Sequence, residues 1–508
     1  MKNRTEKAIL NIGSNYIIQI IKTIFTFLTR TIFIKILGKE ALGLNGLFIN
    51  ILSMLSLAEL GIGTAINFSL YEPLAKNDYS KVSSLMSFYK KTYNIIGIIV
   101  FILGIVLVPF LPFFIKNIND IENVYLIYLL YLLNTVFSYF ISYKETLVNA
   151  DQKSYKLSTI NLIFLVILNI FQITSLIIWK NFIVYLFIQF AIQLIQKVFI
   201  NIYISKLYFN IDFNSSKNID EKDFKVIKKN VFAMFFHKIG DYCVNSTDNL
   251  IISSFINVVY VGLYSNYLTV LSLITTFTSI FFNNLTSSFG NLNITESPKK
   301  KFDIFKKMEL ISFIMYGLSF VVLLNVFNDF ITLWVGSDYC LDFLIVLFIL
   351  ISFYISGMRV SPSTVKNSAG LYSVDKFTPI IQALVNLVVS ICLVKKIGIL
   401  GVVIGTIISS LVLPSWQKPF IIYRDIFKMK FSIYLINFIK NVFIVCIVSI
   451  ITLFINHFIN FQNILLLIIF KCAIVLFVFC IFVYLFYSRT NEFLFFKDKI
   501  FELVRRKK

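Results

Sequence analysis

The chain has 508 residues, of which 58% are hydrophobic and only 14% charged, with a mean hydropathy of +0.83. No soluble protein of this length hides so many apolar side chains, so lipid is the solvent and a soluble globular fold is excluded. The excess of Lys and Arg, 47 against 26 acids, points in such a chain to cytoplasmic loops rather than to nucleic acid.

The basic N-terminus, Met1–Leu10, runs into a long apolar segment without a small-residue cleavage site and reads as a retained first span, not a signal peptide. A crossing needs about 20 mostly apolar residues. Fourteen spans follow in chain order, near 9–37, 42–70, 92–115, 123–142, 158–179, 182–204, 230–255, 261–290, 309–327, 343–357, 378–394, 399–416, 432–456 and 463–487. Pro362 and Pro379 interrupt the pattern around the tenth and eleventh. The six cysteines lie mostly in apolar runs without metal-type spacing, and read as small buried hydrophobes. No metal site and no bound cofactor is expected, beyond a coupling ion, H+ or Na+.

The loops orient these spans. The N-terminus, every second loop and the C-terminal tail together hold 35 Lys and Arg, while the alternating loops hold 5. By the positive-inside rule both termini are cytoplasmic, in a multi-pass protein of the cell membrane.

The chain also repeats itself at an offset of 219 residues. Leu42-Gly43-Leu44 pairs with Val261-Gly262-Leu263, the run from Ile49 to Leu55 with that from Leu268 to Ile274, and Asn11 with Asn230. Six spans per repeat is an even number, so the halves are parallel, related by an axis along the membrane normal. The expected architecture is an all-α integral membrane protein. It has a six-helix lobe at 1–204, a cytoplasmic linker at 205–229, a second six-helix lobe at 230–423, a two-helix hairpin at 424–487 and a basic cytoplasmic tail at 488–508.

The first helix of each repeat carries polar groups along one face. Asn11, Asn15, Gln19, Lys22, Thr26 and Arg30 recur at steps of three and four, and so do His237, Asp241, Asn245 and Asp248 on the seventh span. One stripe is cationic and the other carries two carboxylates. Polar stripes inside membrane-length helices imply a wet cavity through which something polar passes. Arg30 and Asp248 each lie about seven residues, roughly 10 Å, inside the outer end of their spans, whereas Lys22, Asp241 and Glu59 lie near mid-membrane.

Three runs carry a family resemblance: Arg30-Thr-x-Phe33-Ile34-x-x-Leu37-Gly38, Leu42-Gly-Leu-Asn-Gly-Leu-Phe48 and Leu57-Ala-Glu-Leu-Gly-Ile-Gly-Thr-Ala65. His237-Lys-Ile-Gly240 and Thr247-Asp-Asn249 add to them. The chain resembles the polysaccharide branch of the multidrug/oligosaccharidyl-lipid/polysaccharide exporter superfamily, the O-antigen or capsule-type oligosaccharide flippases. The resemblance implies movement of a polyprenyl-diphosphate-linked oligosaccharide from the cytoplasmic to the outer leaflet, with membrane lipid, a polysaccharide polymerase and glycosyltransferases as partners.

Under that implication Lys22 and Arg30 bind the diphosphate, since ammonium and guanidinium groups offset a charge that otherwise cannot enter a low-dielectric space. Asn15, Gln19, Asn245 and Arg359 join them as substrate-binding candidates. Glu59, His237, Asp241 and Asp248 serve coupling or charge compensation. The alternative is that these charges are fixed ion pairs clamping the halves together, and both readings stand at this level. Arg359 and Lys366, flanking Pro362, either attract the diphosphate or simply follow the positive-inside rule.

Two rivals are weighed. A cation-coupled multidrug exporter of the same superfamily favours an acidic cavity, against which Lys22 and Arg30 speak. A membrane polysaccharide polymerase needs paired catalytic groups outside, yet the outer loop at 328–342 offers Asp329, Asp338 and Asp342 without His, Arg or Lys. No phosphate-binding Walker motif is present, so the chain is read as a transporter and not an enzyme.

Overall fold

The computed structural model describes residues 4–59, 62–115, 121–151, 153–215, 219–369, 371, 374–375 and 377–505. Side chains are described over the same ranges except at 4–17, 58, 64, 65, 68, 75, 154, 222, 226, 229, 230, 232–241, 243–245, 284, 287, 288, 291, 294, 295 and 500–505. Among the described residues every regular element is helical. The physical reason is the solvent: in lipid each backbone N–H and C=O must be satisfied within its own segment.

The first unit comprises residues 1–265. Its helices are α1 (Arg4–Leu55), α2 (Ile62–Ala75), α3 (Tyr79–Leu107), α4 (Leu111–Phe114), α5 (Val124–Ala150), α6 (Ser154–Trp179), α7 (Phe182–Leu207) and α8 (Glu221–Phe255). The helix α9 (Val258–Thr295) begins in this unit and ends in the next. Capping residues set several boundaries. Asp78 accepts from the Lys81 amide at 3.0 Å to start α3, and Asn181 accepts from the Ile183 amide at 2.8 Å to start α7. In the core α5 packs against α3 and α7, α6 against α1 and α7, and α8 against α1 and α2.

Two breaks shape the first unit. Gly38 has φ +81° and ψ −170°, a conformation open to glycine alone, and it separates the first two expected spans. The second span is itself discontinuous: a 3-10 turn at Ser56–Glu59 precedes the restart of helix at Ile62. Close packing follows at the repeat. A Cβ added to Gly43 would collide with the Val258 carbonyl, and one added to Gly262 would lie 2.7 Å from the Lys39 oxygen.

The second unit comprises residues 266–508. It holds α10 (Pro298–Val335), α11 (Phe343–Met358), α12 (Val360–Ser368), α13 (Thr378–Ile397), α14 (Ile399–Val412), α15 (Pro414–Ile421), a π-helical turn at Ile422–Phe427, α16 (Ser432–His457), α17 (Ile464–Tyr487) and α18 (Asn491–Arg505). The helix α10 is central, packing against α11, α16, α17 and α18. Polar contacts fasten the appended hairpin to it. Asn325 donates to Thr452 at 3.0 Å and accepts from Asn456 at 2.7 Å, and Lys471 on α17 pairs with Asp329 at 2.7 Å.

Among the described residues eleven helices are long and apolar enough to cross a membrane. These coincide with eleven of the fourteen expected spans, and the three others, 9–37, 42–70 and 230–255, lie on α1, α2 and α8. The protein is a multi-pass helical membrane protein.

Candidate functional site

The described part of the cationic stripe runs along α1. Gln19, Lys22 and Arg30 are half-buried there, while Thr26 is exposed. One turn holds the best-defined contacts: Thr29 donates to Asn169 of α6, and the Arg30 guanidinium donates to the Ser265 hydroxyl at 2.7 Å. Tyr185 of α7 lies within electrostatic range of Arg30. Asp248 of α8 is buried and accepts from the Tyr264 hydroxyl at 3.5 Å. The structure thus ties Arg30 and Asp248 to consecutive residues of α9.

Glu59 sits on the 3-10 turn that interrupts the second span. It lines a cavity of about 480 Å³ within the first unit, between α2, α3 and α5. The Tyr93 hydroxyl donates to Glu59 Oε1, and Tyr89 and Thr146 share a hydrogen bond of 3.2 Å. The Tyr89 and Tyr93 rings meet edge to face at 4.3 Å, and Tyr139 lies 5.9 Å from Tyr93. On the far wall are Glu145 and Ser142, and Lys197, which is not itself a lining residue, pairs with Glu145 at 2.5 Å and reaches Ser142 at 3.2 Å. Gly63 makes room for this convergence: a Cβ there would lie 2.8 Å from the Tyr89 oxygen, 2.9 Å from that of Tyr93 and 3.0 Å from Glu59 Oε1.

The remaining candidates are distributed more widely. The side chains of Asn15, His237, Asp241 and Asn245 lie outside the described residues. Arg359, at the junction of α11 and α12, is half-buried and donates to Ser356 at 3.0 Å. Its neighbour in sequence pattern, Lys366, is buried and ion-paired with Asp375, which makes it a clamp on the segment after α12. Within the described residues no cluster of His, Cys, Asp and Glu is arranged to hold a metal.

Sequence reasoning passed over two groups. The cavity tyrosines escaped it because they lie on two different helices, α3 and α5, and only the recurrence of Tyr at 89, 93, 139 and 143 hinted at them. Glu309 on α10 was missed as well. It is buried with one carboxylate oxygen lacking a hydrogen-bond partner, and the hydroxyls of Tyr354 and Tyr423, both within its electrostatic range, lack partners too.

Residues 9–286 match the model of a family described as polysaccharide biosynthesis protein. The chain belongs to that family. No curated protein matches it in sequence. Among solved structures, this polysaccharide biosynthesis protein superposes on the lipid II flippase MurJ in its inward closed conformation with a TM-score of 0.67 at 16% identity, covering 93% of this chain and 98% of MurJ. A multidrug resistance MATE family transporter of the MOP superfamily, inward-facing, gives 0.59 at 14% identity over 77% of this chain and 92% of its own. The Vibrio cholerae MATE transporter VcmN gives 0.57 at 12% identity, covering 82% and 98%. At these identities the likeness establishes a shared fold.

Proposed function

We propose that this polysaccharide biosynthesis protein is a flippase that moves a polyprenyl-diphosphate-linked oligosaccharide from the cytoplasmic to the outer leaflet by alternating access, and is not an enzyme. One observation carries the reading. Within the first compact unit, the half-buried cations Lys22 and Arg30 of α1 occur together with a polar cavity beside a broken span. An anionic headgroup needs the first, a sugar needs the second, and non-helical backbone at membrane depth is tolerated where it lines a cavity.

In this reading Lys22 and Arg30 hold the diphosphate, and Gln19, Asn15, Asn245 and Arg359 contact it or the sugar. Glu59, His237, Asp241 and Asp248 compensate charge or carry the coupling H+ or Na+. The chain crosses the cell membrane fourteen times with both ends cytoplasmic, as parallel lobes at 1–204 and 230–423 followed by a hairpin. The lipid tail stays in the bilayer while the sugar crosses inside, and a polymerase and glycosyltransferases act before and after it.

The rival is a cation-coupled multidrug exporter, favoured by Glu59 beside three tyrosines. Lys22 and Arg30 oppose it, because a cationic stripe repels an organic cation. The test is Arg30→Ala in cells. The expected result is a folded protein with lipid-linked oligosaccharide accumulating on the cytoplasmic leaflet; normal surface polysaccharide would sink the reading.

A further inference from the structure

The cavity of the first unit has a chemistry of its own, distinct from that of the α1 cations. Among its described lining residues there is no Lys or Arg, whereas there are two carboxylates. Glu145 is engaged by Lys197. The carboxylate of Glu59 points with two phenol oxygens toward the space above Gly63, and the rings of Tyr89, Tyr93 and Tyr139 pack edge to face or tilted around it. A carboxylate amid aromatic faces suits a protonated amine, because ring quadrupoles and the negative charge act on it together. Such a site excludes phosphate by repulsion.

The fold does not require an acid here. At the repeat offset of 219 residues, position 59 corresponds to Thr278. Thr278 lies within the unbroken α9 and shares a hydrogen bond of 2.7 Å with the Tyr316 hydroxyl, a neutral pair. The carboxylate is therefore a feature of one cavity and not of the repeat. The rest of the lining is rich in hydroxyl and amide groups, among them Ser138 and Asn149. Pockets for lipophilic organic cations are walled mainly by apolar groups, while closely spaced donors and acceptors match the hydroxyls of a sugar ring. A volume of about 480 Å³ suffices for a small saccharide.

We propose that this cavity seats an amine-bearing sugar residue of the cargo, with its ammonium on Glu59 and its ring against Tyr93 and Tyr139. This rests on the flippase reading and names the part of the headgroup that the first unit recognises. The diphosphate and the amino sugar are then sorted by charge. The anion goes to the stripe on α1 and the cation to the cavity, so a headgroup with both is held at two points.

The experiment uses the full chain in lipid nanodiscs and calorimetric titration with four probes: methyl glucosaminide, methyl N-acetylglucosaminide, methyl glucoside and tetraphenylphosphonium. Methyl glucosaminide should bind about tenfold or more tightly than either uncharged sugar, the difference a charge-assisted hydrogen bond makes. Glu59→Gln should erase that preference, and Tyr93→Phe should keep binding while weakening it. Equal binding of the three sugars, no sugar binding at all, or a glucosaminide preference untouched by Glu59→Gln overturns the proposal. Tighter binding of tetraphenylphosphonium than of glucosaminide overturns it in favour of a free organic cation. The probe ranking on the unmutated chain decides the matter even if Glu59→Gln does not fold. Failure here with cargo still accumulating in Arg30→Ala leaves the flippase reading intact; a glucosaminide preference alongside normal export in Arg30→Ala does the reverse.

Discussion

Gly43 and Gly262 stand 219 residues apart, at equivalent places in the two repeats, and pack against each other's backbone. Gly43 meets the carbonyl of Val258 and Gly262 that of Lys39, and these two residues are also 219 apart. A Cβ on Gly262 would lie 3.0 Å from the Gly43 nitrogen. The reciprocal contact is what a local two-fold axis between α1 and α9 produces.

Because backbone cannot yield as a side-chain tip does, Gly43→Ala should destabilise the first unit by about 1–3 kcal/mol. Thermal unfolding of the purified chain measures this. Gly38→Ala makes a useful contrast. Nothing lies within 4 Å of its Cβ position, so its cost would come from φ +81° alone.

Asp248 tests ion coupling. Asp248→Asn keeps the shape and a hydrogen-bond acceptor for Tyr264 but removes the charge. Transport in reconstituted vesicles should lose its dependence on pH or on Na+ while the fold is retained. Unchanged dependence on both would leave Asp248 as a packing group.

Lys366 and Asp375 are 4% and 3% exposed, so each is the other's compensation for lost water. Lys366→Met should cost about 3–5 kcal/mol by leaving a carboxylate buried without its cation. The double variant with Asp375→Leu should recover most of that stability, and denaturation curves of the three proteins decide it. A Lys366 that served the diphosphate instead would lose transport with its stability intact.

Glu492 at the start of α18 pairs with Lys306 of α10 at 2.7 Å. Burial is the largest single influence and acts to raise its pKa, but the hydrogen bond and charge of Lys306, together with hydrogen bonds from Thr490 and the backbone, outweigh it and hold the carboxyl below the usual carboxylate range. A depressed folded value means the pair's stabilisation is fully present above the ordinary Glu value and is lost as pH falls through the folded one. Amide protection in residues 491–499, taken relative to the intrinsic exchange rate at each pH, should therefore fall on acidification toward about pH 3, below the ordinary Glu pKa of about 4.3. In Glu492→Gln that acid-induced loss of protection should be absent.

Much of the architecture was legible along the chain. Hydropathy marked the positions of the eleven apolar helices, and charge bias in the loops proposed their orientation. The stripe of Gln19, Lys22 and Arg30 was visible because residues three and four apart share a helical face. The breaks were not: hydropathy drew the second span as continuous, and the glycine conformation at Gly38 and the 3-10 turn at Ser56–Glu59 emerged only in the structure.

What the sequence by itself determined is thus the solvent, the helical class and the polar faces, all properties that each segment carries within itself. The tertiary structure decided the partners: Tyr93 for Glu59, Ser265 for Arg30, Asp375 for Lys366 and Val258 for Gly43. In lipid one apolar helix face resembles another, so hydrophobicity does not choose which helices meet. That choice falls to close packing and a few polar contacts between distant residues, and these exist only once the helices are assembled.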